Sequence, residues 1–344
     1  MTVEKIITTI SLSRLESYKI AFSLKNNTEA LGMYVWNKKL CGEFLPILQL
    51  LEVSLRNSIY NGHIALQEKK LADLGMTEEE IASNIDYNWL QNFFLSTTSP
   101  DFSKTQAALN NVISELNKYA IPITPDNIVS KISFGVWSNI CTARHDISQT
   151  DSLRIWPDLL KYVFPGKVVS LAKIESDVKQ INYLRNRIAH HEPIWKKYGN
   201  FTLNQHINSI INDAALCVNF INYINPSNLK VVELLTSLYQ IEHLCKKETI
   251  ESFLEAGKTI SSLEHNDIQQ WIDSNIQDSR ISGKIVSVKF NEIIVHSQTL
   301  PGIDFILDKK ATSNKKIIKK VGIKINFEPI KRKSIYMATK VIAL

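Results

Sequence analysis

Residues 184–195 have the sequence Leu-Arg-Asn-Arg-Ile-Ala-His-His-Glu-Pro-Ile-Trp, and they end a long stretch of helical periodicity. Apolar side chains recur every three or four positions up to this point, at Leu171, Ile174, Val178, Ile181, Leu184 and Ile188. Such spacing predicts an amphipathic helix with one buried face. Pro193 is poorly tolerated in a helix interior, so His190 and His191 are predicted to lie in the last helical turn.

The same periodicity extends over most of residues 6–276. It is clear between Leu45 and Ile59 and again between Ile207 and Ile221. Prolines divide this region into segments of ordinary helix length. The predicted fold class is therefore mainly α, with a helical domain over residues 1–230 and a helical connector over residues 231–280.

After Gly283 the pattern changes to short runs of β-branched and aromatic residues, separated by glycine and proline. Five such runs in residues 281–344 predict a small β-barrel. The segments Gly283–Phe290, Gly302–Leu307, Val321–Glu328 and Ala338–Leu344 resemble those of cold-shock-type OB folds.

The C-terminal segment 281–344 is strongly basic. It holds 13 Lys/Arg against 4 Asp/Glu, or 13 − 4 = +9, so the rest of this +6 chain carries 6 − 9 = −3. A basic segment on a mildly acidic body predicts contact with nucleic acid phosphates. The lysines expected to make these contacts are Lys315, Lys316, Lys319 and Lys320. Few aromatic or imidazole rings are available to stack on bases, namely Phe290, Phe305, His296 and Tyr336. The alternatives are a purely structural barrel, or lysines that only aid solubility.

The composition is that of a globular protein, with 344 residues of which 44% are hydrophobic and 22% charged. No apolar run approaches the ~18 residues that cross a membrane, and no signal peptide is evident at the N-terminus. The cysteines Cys41, Cys141, Cys217 and Cys245 form no Cys-x-x-Cys pair. They are predicted to be reduced and mostly buried. We therefore expect a cytoplasmic protein that does not enter a membrane.

Within residues 184–195, Arg185, Asn186 and His190 form an R-N-x-x-x-H motif. The motif brings together a permanent cation, an amide and an imidazole, the side chain whose charge changes near neutral pH. These groups can cleave RNA without a metal, because RNA supplies its own nucleophile, the 2′-hydroxyl. A simpler interpretation is that cations near a helix C-terminus complement its dipole, worth ~0.3–1 kcal/mol. No His-Glu-x-x-His sequence occurs, and the adjacent His190 and His191 point in different directions, so neither a metal nor another cofactor is expected.

The stretch 184–195 resembles the signature of Abi-like (AbiD/AbiF-type) abortive-infection proteins, a branch of the HEPN ribonuclease superfamily. Further matching segments occur in the same order as in that family, at Tyr34–Asn37, Phe44–Asn57, Ile132–Trp137 and Ile155–Pro165. Together they cover roughly residues 11–225. The barrel-like segment lies outside this resemblance, so we expect it to be an accessory domain.

The resemblance implies a HEPN-like helical bundle that forms a homodimer, with two copies of the motif around one cleft. Carried over to this sequence, the catalytic residues are Arg185, Asn186 and His190. His190 would transfer protons, Arg185 would brace the charge that develops on the phosphorane, and Asn186 would orient the histidine or the helix end. The expected products carry a 2′,3′-cyclic phosphate and a 5′-hydroxyl.

Other polar residues are candidates for RNA binding or support of the site. Arg187 and His191 repeat the spacing of Asn186 and His190, and either contact phosphate or lie on the surface. Glu52 and Arg56 are four residues apart on an otherwise apolar helix, which favours a buried ion pair that fixes helix packing. The alternative is that Arg56, together with the adjacent Asn57, lines the cleft beside the motif.

Three functions remain open on the sequence alone. The first is a metal-independent endoribonuclease that acts as a toxin in anti-phage abortive infection, with RNA as its substrate. The second is a non-catalytic RNA-binding protein of a defence system. The third is an interaction or sensor module in which the motif only ends a helix. The sequence does not identify a regulatory RNA or an antitoxin.

Overall fold

A computed structural model describes residues 2–196, 201–262, 268, 280–289, 292–297, 300, 302–307, 320–332 and 335–343. The chain divides into two compact units, Met1–Ser262 and Leu263–Leu344. The first is helical and the second contains a β-barrel, so the predicted mainly α fold with a small C-terminal barrel is confirmed. The helices between 229 and 262 lie largely in the predicted connector, and they belong to the first compact unit.

The described α-helices of the first unit are α1 (Thr2–Ile10), α2 (Leu12–Phe22), α3 (Asn27–Asp73), α4 (Glu78–Asn84), α5 (Trp89–Ser96), α6 (Ser103–Lys118), α7 (Pro125–Lys131), α8 (Phe134–Ile140), α9 (Leu160–Val163), α10 (Leu171–Ala189), α11 (Leu203–Ile224), α12 (Leu229–Leu235), α13 (Ser237–Leu244) and α14 (Lys247–Thr259). Short 3₁₀ turns occur at Pro100–Phe102, Ala143–His145, Pro226–Asn228 and Ile260–Ser262. No described helix is both long enough and apolar enough to cross a membrane.

Helix α3, with 47 residues, is the central element of this unit. Its N-terminus is capped by Asn26, whose side-chain oxygen accepts a hydrogen bond from the Glu29 amide at 2.9 Å. Helices α2, α9, α11, α13 and α14 pack against it. Its buried face carries large apolar side chains, including Trp36, Phe44 and Leu51. Burying that face against several helices is what holds so long a helix in place.

Four tryptophans lie at the centre of the helical core. Trp36, Trp137, Trp156 and Trp195 are all essentially inaccessible to solvent. The indole of Trp36 donates to the Leu244 carbonyl at 2.8 Å, which ties α3 to the end of α13. Trp137, Trp156 and Trp195 are therefore core residues and are not available to stack on bases. The predicted state of the cysteines also holds, since all four are free thiols and only Cys41 is more than slightly exposed.

The second unit is a closed barrel of strands β1 (Ile281–Val288), β2 (Ile293–Ser297), β3 (Asp304–Leu307), β4 (Lys324–Arg332) and β5 (Ile335–Ala343). Around the barrel the order is β1-β2-β3-β5-β4, with β3 and β5 parallel and the other pairs antiparallel. This arrangement of strands fits the predicted OB-like barrel.

One of the residues predicted to stack on bases lies instead in the barrel interior. Phe305 is fully buried and packs against Phe327 with ring centroids 5.0 Å apart. The prediction that Phe305 is available to bases is therefore wrong, because its ring fills the core of a small barrel. Lys320 is exposed just before β4. Phe290, Lys315, Lys316 and Lys319 lie outside the described residues.

Candidate functional site

The motif helix α10 ends one residue before His190. Ala189 is its last helical residue, and His190 is the C-cap with φ −87° and ψ 8°. The His190 amide still donates to the Asn186 carbonyl at 2.8 Å. This bond keeps His190 within one turn of Asn186, as the sequence spacing predicts.

His191 leaves the helix in the left-handed conformation, with φ 58°. Its amide donates to the Ile188 carbonyl at 3.0 Å, and the Glu192 amide donates to the Arg187 carbonyl at 2.8 Å. This pair of bonds is a Schellman motif, with a histidine at the position that glycine usually occupies. The prediction that His191 lies in the last helical turn is therefore wrong. Because the backbone reverses its twist there, Arg187 and His191 do not share a helical face.

Arg187 holds the segment that follows the helix. Its Nε donates to the Pro193 carbonyl at 2.9 Å, and its Nη1 donates to the Tyr183 hydroxyl at 2.8 Å. Glu192 lies 3.4 Å from the same Nη1. The Arg187 side chain is only 11% exposed, so its contacts are mostly within the protein.

Two more residues fix this segment from outside α10. The Arg14 guanidinium on α2 donates to the His191 carbonyl at 2.6 Å. Fully buried Asn37 on α3 accepts a hydrogen bond from the Ile194 amide at 3.0 Å. The segment that follows His190 is thereby attached to both α2 and α3.

Arg185 faces α3, where it meets Glu52. Arg185 Nε and Glu52 Oε2 lie 3.8 Å apart, and the two side chains are 37% and 23% exposed. Arg56 instead donates to the Ser130 carbonyl on α7 at 3.0 Å. Among the described residues the predicted Glu52–Arg56 pair is not formed, because Arg56 is directed towards α7 and Glu52 towards α10.

A polar depression of about 260 Å³ begins one turn beyond Glu52 along α3. It is lined by Arg56, Asn57, Tyr60, Asn61, Asp126, Val129 and Ser130. Arg56 and Asn57 therefore line a surface depression that begins one helical turn from Glu52, the residue that contacts Arg185.

The polar groups of Asn186 and His190 remain open to other molecules. His190 is exposed and Asn186 is half-buried. Within the part of the chain that the structure describes, neither side chain makes a hydrogen bond. The motif therefore presents an imidazole and an amide to solvent, with the Arg185 guanidinium on the neighbouring face of the same helix.

Sequence reasoning missed three residues around the motif. Asn37 and Arg14 support its end through contacts between distant segments, which no local spacing reveals. Tyr183 had a visible signal, since it lies three residues before Asn186 and seven before His190 on one helix face. For metals, the described residues contain no group of three or more His, Cys, Asp or Glu side chains that could hold an ion.

The chain was also compared with known proteins. The family model of Abi-like proteins matches residues 5–196, which include α3, α10 and the whole R-N-x-x-x-H motif. No curated protein and no solved structure matches the chain. The family match covers more than half of the 344 residues. The chain therefore belongs to the Abi-like protein family, and this membership indicates a role in abortive infection.

Proposed function

We propose that this protein is a metal-independent endoribonuclease of the HEPN type that acts as a toxin in bacterial anti-phage abortive infection. Arg185, Asn186 and His190 are its catalytic residues. The observation that carries the proposal is the end of α10, where the His190 imidazole and the Asn186 amide are open to a substrate while the backbone around them is firmly held. The family membership supports the same role.

In the proposed reaction the 2′-oxygen of a ribose attacks the adjacent phosphorus, and the bond to the 5′-oxygen of the next nucleotide breaks. One imidazole removes the proton from the 2′-hydroxyl, and a protonated group delivers a proton to the leaving 5′-oxygen. The products are a 2′,3′-cyclic phosphate and a 5′-hydroxyl. We assign one of these transfers to His190, because histidine is the side chain that most often acts as a general acid or base.

Arg185 would stabilise the negative charge that builds up on the phosphorane oxygens. Its planar guanidinium suits bidentate contact with phosphate oxygens. Glu52 holds one edge of the guanidinium in the free protein. Because that ion pair is partly solvated, it is weak enough for a phosphate to compete with or share the cation. Asn186 would orient the substrate or the imidazole from the same helix face.

A homodimer would complete the site, because the reaction needs both a base and an acid and each protomer contributes one His190. Two exposed apolar side chains on α3 support this proposal. Leu45 and Val53 are 46% and 41% exposed, and Leu45 lies two helical turns before Glu52 on the same face of α3. A partner copy seated on this side of α3 would bring the two motifs together. Dilution below the dimer dissociation constant should then reduce the rate per protomer, and a concentration-independent rate would contradict the dimeric site.

The ribonuclease proposal is tested by incubating purified wild-type and His190→Ala protein with total RNA in EDTA. We expect wild type to cleave and the variant to lose at least 100-fold in rate, because general acid–base catalysis contributes about 10²–10⁴-fold. Induced expression of the same two proteins should arrest growth only for wild type. Equal cleavage by both proteins would show that His190 is not catalytic.

A second candidate function is RNA binding without cleavage, and one feature of the barrel favours it. Exposed Lys284 on β1 lies directly opposite exposed Lys324 on β4. Like charges at facing positions repel, so a bound polyanion would relieve an unfavourable pair. On the neighbouring strand β2, Lys284 faces His296, whose Nε2 lies 2.6 Å from Asp304 Oδ1.

This second candidate is tested with Lys284→Ala/Lys324→Ala protein. RNA affinity should fall and its dependence on salt should become shallower, since each phosphate contact adds about one to the slope of log K against log salt. His190→Ala should then bind as tightly as wild type. Unchanged affinity in the double lysine variant would exclude this face of the barrel as the binding surface.

A further inference from the structure

Tyr183 is a large aromatic side chain that α10 does not use for folding. The buried face of α10 is formed by apolar residues that include Ile181, Leu184 and Ile188. Tyr183 lies away from them and is 43% exposed. It is three residues before Asn186 and seven before His190, so the three side chains lie along one helix face.

The Tyr183 ring is held in one orientation. The Arg187 guanidinium lies over it, with Cζ 5.4 Å from the ring centroid, and donates to its hydroxyl at 2.8 Å. Arg187 is itself anchored on the Pro193 carbonyl. An exposed ring fixed in this way has already lost most of its rotational freedom, so a ligand that stacks on it has little entropy to overcome.

An exposed, fixed aromatic ring beside a phosphodiester-cleaving site suits a nucleobase. The rise of an α-helix puts Tyr183 about 10 Å along α10 from His190. A ligand with its scissile phosphate at His190 would therefore present a neighbouring nucleotide to the ring. Bases stack on aromatic side chains in many single-strand binding proteins.

We infer that Tyr183 stacks on an unpaired nucleobase next to the scissile phosphate and so makes single-stranded RNA the substrate. The inference rests on the ribonuclease proposed above and names its substrate class. Bases inside a duplex are stacked on one another, and an A-form helix exposes mainly backbone and 2′-hydroxyls. Only an unpaired base can reach the Tyr183 ring while its neighbouring phosphate lies at His190.

A second tyrosine provides a matched control. Tyr119 follows α6, is 61% exposed and has Lys118 Nζ 5.3 Å from its ring centroid. It is thus also an exposed ring beside a cation, but it is not part of α10. A general effect of losing a surface tyrosine should appear at both positions, whereas a substrate effect should appear only at Tyr183.

The test uses full-length wild type, Tyr183→Phe, Tyr183→Leu and Tyr119→Leu on one RNA sequence, either unpaired or annealed to its complement. We expect Tyr183→Leu to raise KM for the unpaired RNA roughly tenfold, within the range of one base stack, with kcat changed less than about twofold. Tyr183→Phe and Tyr119→Leu should resemble wild type. Wild type should cut the duplex far more slowly than the unpaired strand. Matching thermal melting of all four proteins shows that they are folded.

A direct readout comes from a 2′-O-methyl oligonucleotide with 2-aminopurine at successive positions, which binds but cannot be cleaved. Wild type and Tyr183→Phe should quench the fluorescence at one position, and Tyr183→Leu should not. If wild type cleaves RNA but Tyr183→Leu keeps its KM and its quenching, the stacking inference is wrong and the ribonuclease stands. If wild type quenches at Tyr183 without cleaving, stacking holds and the ribonuclease proposal fails. If wild type neither binds nor cleaves, both fail.

Discussion

Glu52 has two opposed effects on Arg185. Its carboxylate lies 3.8 Å from Arg185 Nε and favours an orientation of the guanidinium on this side of α10, which reduces the reorganisation needed when a phosphate binds. The same carboxylate offsets part of the positive charge that the phosphate would meet. Since the pair is partly exposed, its electrostatic energy is screened and contributes at most about 1 kcal/mol. We therefore expect the orienting effect to exceed the neutralising effect.

The first prediction concerns this residue. Glu52→Gln should lower kcat for RNA cleavage roughly threefold, equivalent to about 0.7 kcal/mol, with little change in KM or melting temperature. Glu52→Asp keeps the charge and should restore part of the lost rate. Single-turnover cleavage measures the effect. A faster Glu52→Gln enzyme would show instead that Glu52 restrains the site.

The second prediction concerns pH and a buried histidine. His145 is inaccessible to solvent, and burial lowers its pKa from 6.5 to about 4, with the neighbouring Arg144 cation adding to the effect. Its Nδ1 accepts a hydrogen bond from the Leu153 amide at 3.2 Å, which only the neutral ring can do. The unfolded chain therefore binds a proton more readily than the folded protein between pH 6.5 and 4. The contribution of neutral His145 to the free energy of unfolding is fully present above pH 6.5 and is lost as the pH falls towards 4.

For His145 this loss amounts to about 3 kcal/mol across that range, at 1.36 kcal/mol per unit of pKa shift. Urea unfolding of wild type and His145→Gln between pH 7 and 4.5 measures it. The variant should be less stable at pH 7 but should lose less on acidification. Parallel pH curves for the two proteins would show that His145 does not contribute to acid sensitivity.

At the scale of elements, helices α3 and α14 touch through their backbones. A Cβ atom at Gly32 would overlap the Phe253 carbonyl oxygen, and one at Gly257 would overlap the Thr28 carbonyl oxygen. Glycine at both positions is what lets the two helices approach so closely. Any side chain there would push α14 away from the central helix of the first unit.

The third prediction follows from this contact. Gly257→Ala should destabilise the protein by about 2 kcal/mol or more, because overpacking a tight contact typically costs 1–3 kcal/mol. Gly42 on α3 is the control, since a Cβ there would meet nothing within 4 Å. Gly42→Ala should be neutral or stabilise by up to about 1 kcal/mol, as alanine favours a helix interior. Equal unfolding free energies for the two variants would refute the tight contact.

The helices and strands show how much of the fold could be predicted from the sequence. Periodicity alone predicted α10, because its apolar residues repeat along one face, and strand patterning predicted the barrel. The end of α10 was predicted two residues too late, since His191 adopts a left-handed conformation that usually belongs to glycine. Local spacing also paired Glu52 with Arg56, whereas folding brings Glu52 to Arg185 from a distant helix. Contacts of that kind depend on tertiary packing, so the spacing of residues along the sequence does not reveal them.

At the scale of the whole molecule, charge and fold are divided between two units. The basic segment over residues 281–344 carries +9 and the remainder −3. The R-N-x-x-x-H motif belongs to the helical unit over residues 1–262, in which 26 Lys/Arg balance 26 Asp/Glu. The exposed Lys284 and Lys324 belong to the barrel. We therefore expect the barrel to raise RNA affinity in a salt-dependent way, while the chemistry depends on the helical unit.

The central claim is that His190 at the end of α10 uses the substrate's own 2′-hydroxyl to cut RNA. The most direct measurement is mass spectrometry of the products from an oligonucleotide with a single ribose in an otherwise deoxyribose strand, incubated with full-length protein in EDTA. The account predicts cleavage only after that ribose, a 2′,3′-cyclic phosphate and a 5′-hydroxyl, and no product with His190→Ala. Products with a 3′-hydroxyl and a 5′-phosphate, or cleavage at deoxyribose positions, would contradict it.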